Sequence, residues 1–226
     1  MRERGKDLEG WQTRRAASLS PIRHTLIIKP SKESHTVSNV PTEEHVTSAR
    51  RIYEGKVVNL RVDTVVLPGG KTSEREIVEH RGAVALVPIT PGGHVVLVRQ
   101  WRTPAQAVLL EIPAGTLEEG EDPEACAHRE LGEEVNFAAG RMTKMCEMYT
   151  APGYSTELIH LYLAQELTPM QGTPDADEFL DIVTLSLSDA IDKIDTGEIR
   201  DAKSISGLLM AARALPARGA HGTENA

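Results

Sequence analysis

Two cysteines in 226 residues, Cys126 and Cys146, are too few for a disulfide framework. Cys126 also falls in an acidic, helix-forming stretch, so reduced thiols and a cytoplasmic location are expected. No run approaches the roughly eighteen apolar residues that a membrane-spanning helix needs. The first residues lack the apolar core of a signal peptide, and Glu3, Asp7 and Glu9 do not suit an organelle transit peptide. No internal repeat is visible. An excess of positive charge is missing too. The net charge is −8, with nine basic and six acidic side chains in the first fifty residues and sixteen against twenty-seven in the rest. So acidic a body argues against nucleic acid or an anionic membrane as the main partner.

What is present suffices for one core with an appendage, since 40% of the side chains are hydrophobic. Residues 1–48 mix charges, Ser and Thr with Pro21, Pro30 and Pro41, and keep no period of 2 or 3.6. They are expected to form a disordered extension, including the short strand-like run at Thr25–Ile28, for which an edge strand is the weaker alternative. Residues 49–82 predict an antiparallel β subdomain, with Val58, Leu60, Val62, Thr64 and Val66 alternating on one face before the Pro68-Gly69-Gly70 turn. Residues 83–218 predict the main α/β domain, and 219–226 a flexible tail. Within the domain, Ala83–Ile89 and His94–Gln100 read as a hairpin around Pro91-Gly92-Gly93. Strands are also expected at 108–112, 144–149, 157–164 and 179–185. Helices are expected from Ser188 to near Gly197 and from Asp201 onward. Strands around one central helix, with later helices packing back, make a mixed α/β layer architecture.

That central helix carries the chemistry. Gly115–Phe137 holds eight carboxylates against one formal cation, Arg129. Asp122 suits the N-cap and Pro123 the first helical position, while Ala127, Leu131 and Val135 form an apolar stripe. Glu130, Glu133 and Glu134 share the adjoining face and repel by roughly 0.2–0.5 kcal/mol per neighbouring pair, more when half buried. A divalent cation with a taste for hard oxygen would cancel that repulsion. A merely solvated acidic face is the alternative, and the Gly-rich loop and buried stripe beside the acids weigh against it.

The spacing Gly115, Glu121, Arg129-Glu130-Leu131, Glu133-Glu134 resembles the signature box of the Nudix hydrolases, which cleave nucleoside diphosphates linked to another moiety. The box usually ends in glycine where this chain has Asn136, the next best residue at a left-handed helix C-cap. Further motifs resemble the ADP-ribose pyrophosphatase branch: Arg75-Glu-Ile, Val98-Arg-Gln-Trp-Arg102, Glu111-Ile-Pro-Ala-Gly115, Pro152-Gly153, Asp177-Glu-Phe-Leu-Asp181 and Asp201-Ala-Lys203. The resemblance implies a Nudix-type mixed-sheet α/β/α sandwich preceded by the β subdomain. It implies a metal-dependent hydrolase of ADP-ribose or a related nucleoside diphosphate-sugar, releasing AMP and ribose 5-phosphate.

Roles follow from the resemblance residue by residue. Glu130 and Glu134 would hold Mg²⁺ (or Mn²⁺), with Glu133 close behind and the Ala114 carbonyl completing the shell. Arg129 would hold a box carboxylate. Gly115 would adopt a conformation other residues avoid. Arg75 and Arg102 would contact substrate, with Arg99 competing with Arg102, and Glu157 would touch the terminal ribose, often across a dimer interface. Glu178 would be the general base, with Asp177 and Asp175 as rivals. Relatives often place an aromatic after the Glu54-Gly55-Lys56 turn to stack on adenine, and this chain has Val57-Val58 there. The alternatives are therefore a GDP-mannose or other sugar-nucleotide pyrophosphatase, or a non-hydrolysing ligand sensor of the same fold. A homodimer through the β subdomain is expected, because a small hairpin is marginal alone and leaves open edges.

Overall fold

The computed structural model describes residues 43–172 and 179–215. Expectations for residues 1–42 and 219–226, and for Asp175, Asp177 and Glu178, lie outside them.

Three strands come first: β1 (His45–Glu54), β2 (Val58–Val66) and β3 (Thr72–His80), antiparallel in that order. The first begins four residues before the boundary expected at residue 49. Its sequence, HVTSARRIYE, has no clean alternation, and all ten residues are exposed, so no apolar face announces it. On β2 the buried residues are Asp63 and Val65, on the face opposite the apolar set 58, 60, 62, 64 and 66. Asp63 is kept by Arg61, whose Nε lies 3.1 Å from Oδ1. Backbone bonds from Val78 N to Tyr154 O (2.7 Å) and Thr156 N to Val78 O (3.0 Å) tie β3 to the loop at 150–156.

Two further sheets stack between helices. One is β7–β4–β9–β8, built from β4 (Ala83–Pro88), β7 (Ala114–Thr116), β8 (Phe137–Tyr149) and β9 (Leu158–Pro169), with β4 and β9 parallel. The other is β10–β5–β6, built from β5 (His94–Arg102), β6 (Ala107–Glu111) and β10 (Asp181–Ser186). The hairpin expected of β4 and β5 is therefore not formed. The turn is present, but after a single bridge between Ile89 and Val95 the strands diverge into different sheets. Both are apolar on both faces, and local pattern cannot choose between pairing edge to edge and packing face to face.

The period-2 alternation of β4 divides the core. Val84 and Leu86 point into one cluster with Ala127, Leu131 and Val135 of α1 (Pro123–Val135). Ala83, Ala85 and Val87 point into another with Ala190 of α2 (Leu187–Asp195) and Leu208 and Ala211 of α3 (Ala202–Ala214). One helix on one side and two on the other give the α/β/α sandwich. Each fully buried Val, Leu or Ile contributes roughly 1.5–3 kcal/mol relative to exposure. Helix α2 starts at N-cap Ser186 rather than Ser188, because the Ser186 hydroxyl accepts from Asp189 N. Among the described residues no helix is long and apolar enough to cross a membrane.

Candidate active site

Helix α1 begins as its sequence dictates. Asp122 accepts from the amides of Glu124 and Ala125, and Pro123 follows at the first helical position. Burial of Ala127, Leu131 and Val135 turns the adjoining carboxylates toward β7. Glu130 is 7% exposed and Glu134 4%. Glu134 Oε2 accepts from Ala114 N at 3.0 Å, which fastens the helix to the strand that would present the Ala114 carbonyl.

Gly115 is needed for space rather than for an unusual dihedral, since it is not among the residues of positive φ. A Cβ there would stand 1.8 Å from Glu130 Cδ, so any side chain would displace that carboxylate. Arg129 gathers the remaining box acids. It donates to Glu121 at 2.9 and 3.0 Å, to Glu130 at 2.7 Å and to Glu133 at 2.9 Å. The Arg129 hydrogen bonds hold the Glu121 carboxyl at about 2, well below the usual carboxylate range, and raise the arginine in turn. Burial pushes the Cys126 thiol up to about 12, so it is an inert packing group.

Beside β7 lies a cleft of about 510 Å³. Arg102, Glu111, Ala114, Gly115, Glu157 and Lys203 are on its walls. Glu111, only 2% exposed, is the hinge of its charge. Arg102 Nη2 and Lys203 Nζ each donate to Glu111 Oε2 at 2.7 Å, and Lys203 also reaches Asp201 at 2.9 Å. Burial alone would raise the Glu111 carboxyl, but Arg102 and Lys203 outweigh it and the net direction is down. Arg102 mirrors this: burial disfavours its charge, yet Glu111 raises it. Also lining the cleft, Thr150 donates to Glu157, whose Oε1 is 3.8 Å from His80 Nδ1. A larger cleft, about 900 Å³, opens at the other ends of β4 and β5 among Ile89, His94 and Leu215, and no expected site residue lies there.

The structure thus brings Arg102, Glu157 and Ala114 together at one cleft, with Glu130 and Glu134 directly behind β7. It does not bring Arg99 there. Successive side chains alternate along β5, and Arg99 turns out to Asp181 (3.5 Å) and Glu198 (3.8 Å). Nor does it bring Arg75, which lies on β3 paired with Glu44 at 2.5 Å and is absent from the cleft wall. Glu133 faces Arg129 and is the more exposed of the box acids, at 31% of its side chain. Among the described residues no three His, Cys, Asp or Glu side chains converge as a metal cage. The donor chemistry still fits a hard divalent cation: two buried carboxylates, a nearby backbone carbonyl, and a glycine whose missing Cβ leaves the room. Sequence reasoning assigned nothing to His80 or Glu111 and expected Lys203 on the outer face of the last helix, whereas it turns into the cleft to Glu111. Glu111 and Lys203 stood inside the quoted motifs, but nothing local shows that they meet across 92 positions.

Comparison with known proteins completes the picture. The NUDIX domain family matches residues 79–208, and the nucleoside diphosphate sugar hydrolase N-terminal domain matches residues 44–78. The chain is 43% identical over 164 residues to an ADP-ribose pyrophosphatase of Bacillus subtilis (strain 168), covering 72% of this chain and 89% of that one. It is 43% identical over 165 residues to a methanol dehydrogenase activator of Bacillus methanolicus, with the same coverage of 72% and 89%. Identity is 34% over 142 residues to a GDP-mannose pyrophosphatase of Escherichia coli (strain K12), covering 58% and 74%. A crystal structure of an ADP compounds hydrolase superposes with a TM-score of 0.70 at 24% identity, over 78% of this chain and 96% of that one.

Proposed function

The chain belongs to the NUDIX family and is a Nudix hydrolase, and on that premise we propose that it cleaves the pyrophosphate bond of ADP-ribose, giving AMP and ribose 5-phosphate. The observation that carries this reading is the pair of buried carboxylates, Glu130 and Glu134, set behind a cleft whose wall offers Arg102 and Lys203. Anionic oxygens on one side and cations on the other suit a diphosphate bridged to a divalent ion.

Glu130, Glu134 and the Ala114 carbonyl would hold Mg²⁺ or Mn²⁺, with Glu133 behind them. Such an ion, when bound, neutralises charge on the diphosphate and makes a nearby water more acidic. Arg129 keeps the box acids in place. Arg102 meets the diphosphate, its guanidinium oriented by Glu111. Glu157 hydrogen-bonds the terminal ribose, and Glu178 takes the proton of the attacking water. Phosphorus NMR of ADP-ribose incubated with the enzyme is expected to show AMP and ribose 5-phosphate only when a divalent ion is added. Metal-independent cleavage, or no cleavage at all, would overturn the reading.

The E. coli relative favours GDP-mannose as a second substrate to include in the same assay. The sensor alternative is disfavoured by the intact set Glu130, Glu133 and Glu134, which a protein that only binds could discard, and by membership of the hydrolase family.

The site is further read as one half of a homodimer in the cytoplasm. Strand β1 is exposed along its whole length, Val46 and Tyr53 are each 58% exposed, and Arg75 has no place in the cleft of its own chain. A second copy packed on this sheet covers the apolar residues and brings Arg75 to the neighbouring cleft. Light scattering is expected to give twice the chain mass at micromolar concentration. A fully active monomer would remove Arg75 from the site.

A further inference from the structure

His80 ends β3 and lines the cleft beside β7. Its ring is held at one nitrogen. Gly82, at φ 97°, turns its amide back to donate to His80 Nδ1 at 3.0 Å. A nitrogen that accepts from an N–H carries no proton, so the neutral ring bears its own on Nε2. An asparagine oxygen would cap such a turn as well, so the turn alone does not explain an imidazole. The ring adds an N–H at Nε2, and no group among the described residues accepts from it. Nor is Nε2 one of the buried side-chain atoms that lack a partner.

Glu157 stands alongside. Its Oε1 is 3.8 Å from Nδ1, beyond hydrogen-bond reach, and both atoms are acceptors, so the two side chains do not satisfy one another. Thr156 holds them in place. Its hydroxyl accepts from His80 N at 2.9 Å and donates to His80 O at 3.3 Å, and its amide donates to Val78 O at 3.0 Å. Next in the chain, Glu157 accepts from the Thr150 hydroxyl and donates its amide to Ser155 Oγ at 3.2 Å. The cleft therefore carries an acceptor-only carboxylate next to a ring with one N–H to give. A sugar hydroxyl, which donates and accepts, matches both. A phosphate oxygen has no proton for Glu157 and is repelled by it.

We infer that His80 is a specificity-determining residue: its Nε2–H opens to the cleft and donates to a hydroxyl oxygen of the substrate's terminal sugar, beside the Glu157 carboxylate. The inference rests on the reading of Glu157 as the sugar contact. Two substitutions divide the ring. His80→Asn keeps an oxygen near the Nδ1 position and has nothing at Nε2, whereas His80→Gln reaches the Nε2 position with an N–H and leaves the Gly82 amide without its acceptor.

The test uses the full-length parent and both variants, with ADP-ribose and with ADP, which lacks the terminal sugar. Kd is read by calorimetry without added metal, kcat and KM with it, and melting temperature throughout. His80→Asn is expected to melt near the parent and to bind ADP-ribose roughly 3- to 10-fold more weakly, the worth of one hydrogen bond. The loss falls on KM rather than kcat, and Kd for ADP holds. His80→Gln is expected to melt lower and yet recover most of the affinity for ADP-ribose. Parental Kd for ADP-ribose in His80→Asn overturns the inference. So does equal weakening for ADP, which moves the contact to the diphosphate, and so does affinity that simply follows melting temperature across the two variants. The expected pattern of Kd in a parent that does not cleave ADP-ribose upholds the inference and overturns the proposed reaction. No binding of ADP-ribose by the parent overturns both.

Discussion

Glu134→Gln is expected to fold as well as the parent and to turn over at least about 100-fold more slowly. Replacing a partner of a metal ligand typically costs 10- to 100-fold, and Glu134 is placed as a ligand itself. The two effects separate for a physical reason. Glu134 is 4% exposed and lies one helical turn from Glu130, so two buried carboxylates share one face of α1. Removing one charge relieves like-charge repulsion, while glutamine keeps an acceptor for the Ala114 amide that Glu134 holds at 3.0 Å. The melting temperature without added metal should therefore hold or rise slightly. Measuring kcat and that melting temperature on one preparation decides the matter. Near-parental kcat would sink the metal assignment, and a large fall in stability would make Glu134 a structural residue.

The second large effect is expected at Glu178. A general base acts in the transition state, so Glu178→Gln should lower kcat by about 10²–10⁴-fold and leave KM nearly unmoved. Arg102→Ala should behave differently in two respects. A diphosphate clamp contributes before and during reaction, so KM rises at least as much as kcat falls. Stability falls as well, because Glu111, buried to 2% exposure, keeps only Lys203 as a cationic partner among the described residues. Steady-state kinetics and thermal melts on both variants, with Asp177→Asn and Glu157→Gln alongside, read out all of this. Should Asp177→Asn or Glu157→Gln be the crippled variant while Glu178→Gln works normally, the attacking water has been placed on the wrong side of the site.

The acidic helix was legible from sequence down to its caps, because Asp122, Pro123 and Asn136 act on backbone within a turn of themselves. The shared face of Glu130, Glu133 and Glu134 beside the stripe was legible too, but only the packing against β7 buries Glu130 and Glu134 and leaves Glu133 more exposed. Strand positions were read well where apolar residues alternated or ran together. Their partners were not. Val95 and Leu97 look the same whether β5 pairs with β4 or stacks over it, and the sheets chose the second. On β2 the apolar set pointed to one face and the fold buried Asp63 and Val65 on the other. A single chain's alternation does not say which face the rest of the molecule will cover.

The arginines divide along the same line. The sequence by itself placed Arg75 and Arg99 on expected strands and Arg102 just past the end of one, and the family resemblance alone implied that such cations meet the substrate. Only the tertiary structure sent Arg102 to Glu111 and Lys203 in the cleft, Arg99 outward to Asp181, and Arg75 to Glu44. Helix caps, stripes and box spacing are fixed by neighbours within about four residues, where backbone geometry leaves little choice. The cleft is made by groups such as Glu111 and Lys203, 92 positions apart, whose meeting depends on how sheets and helices stack, and no local period encodes that.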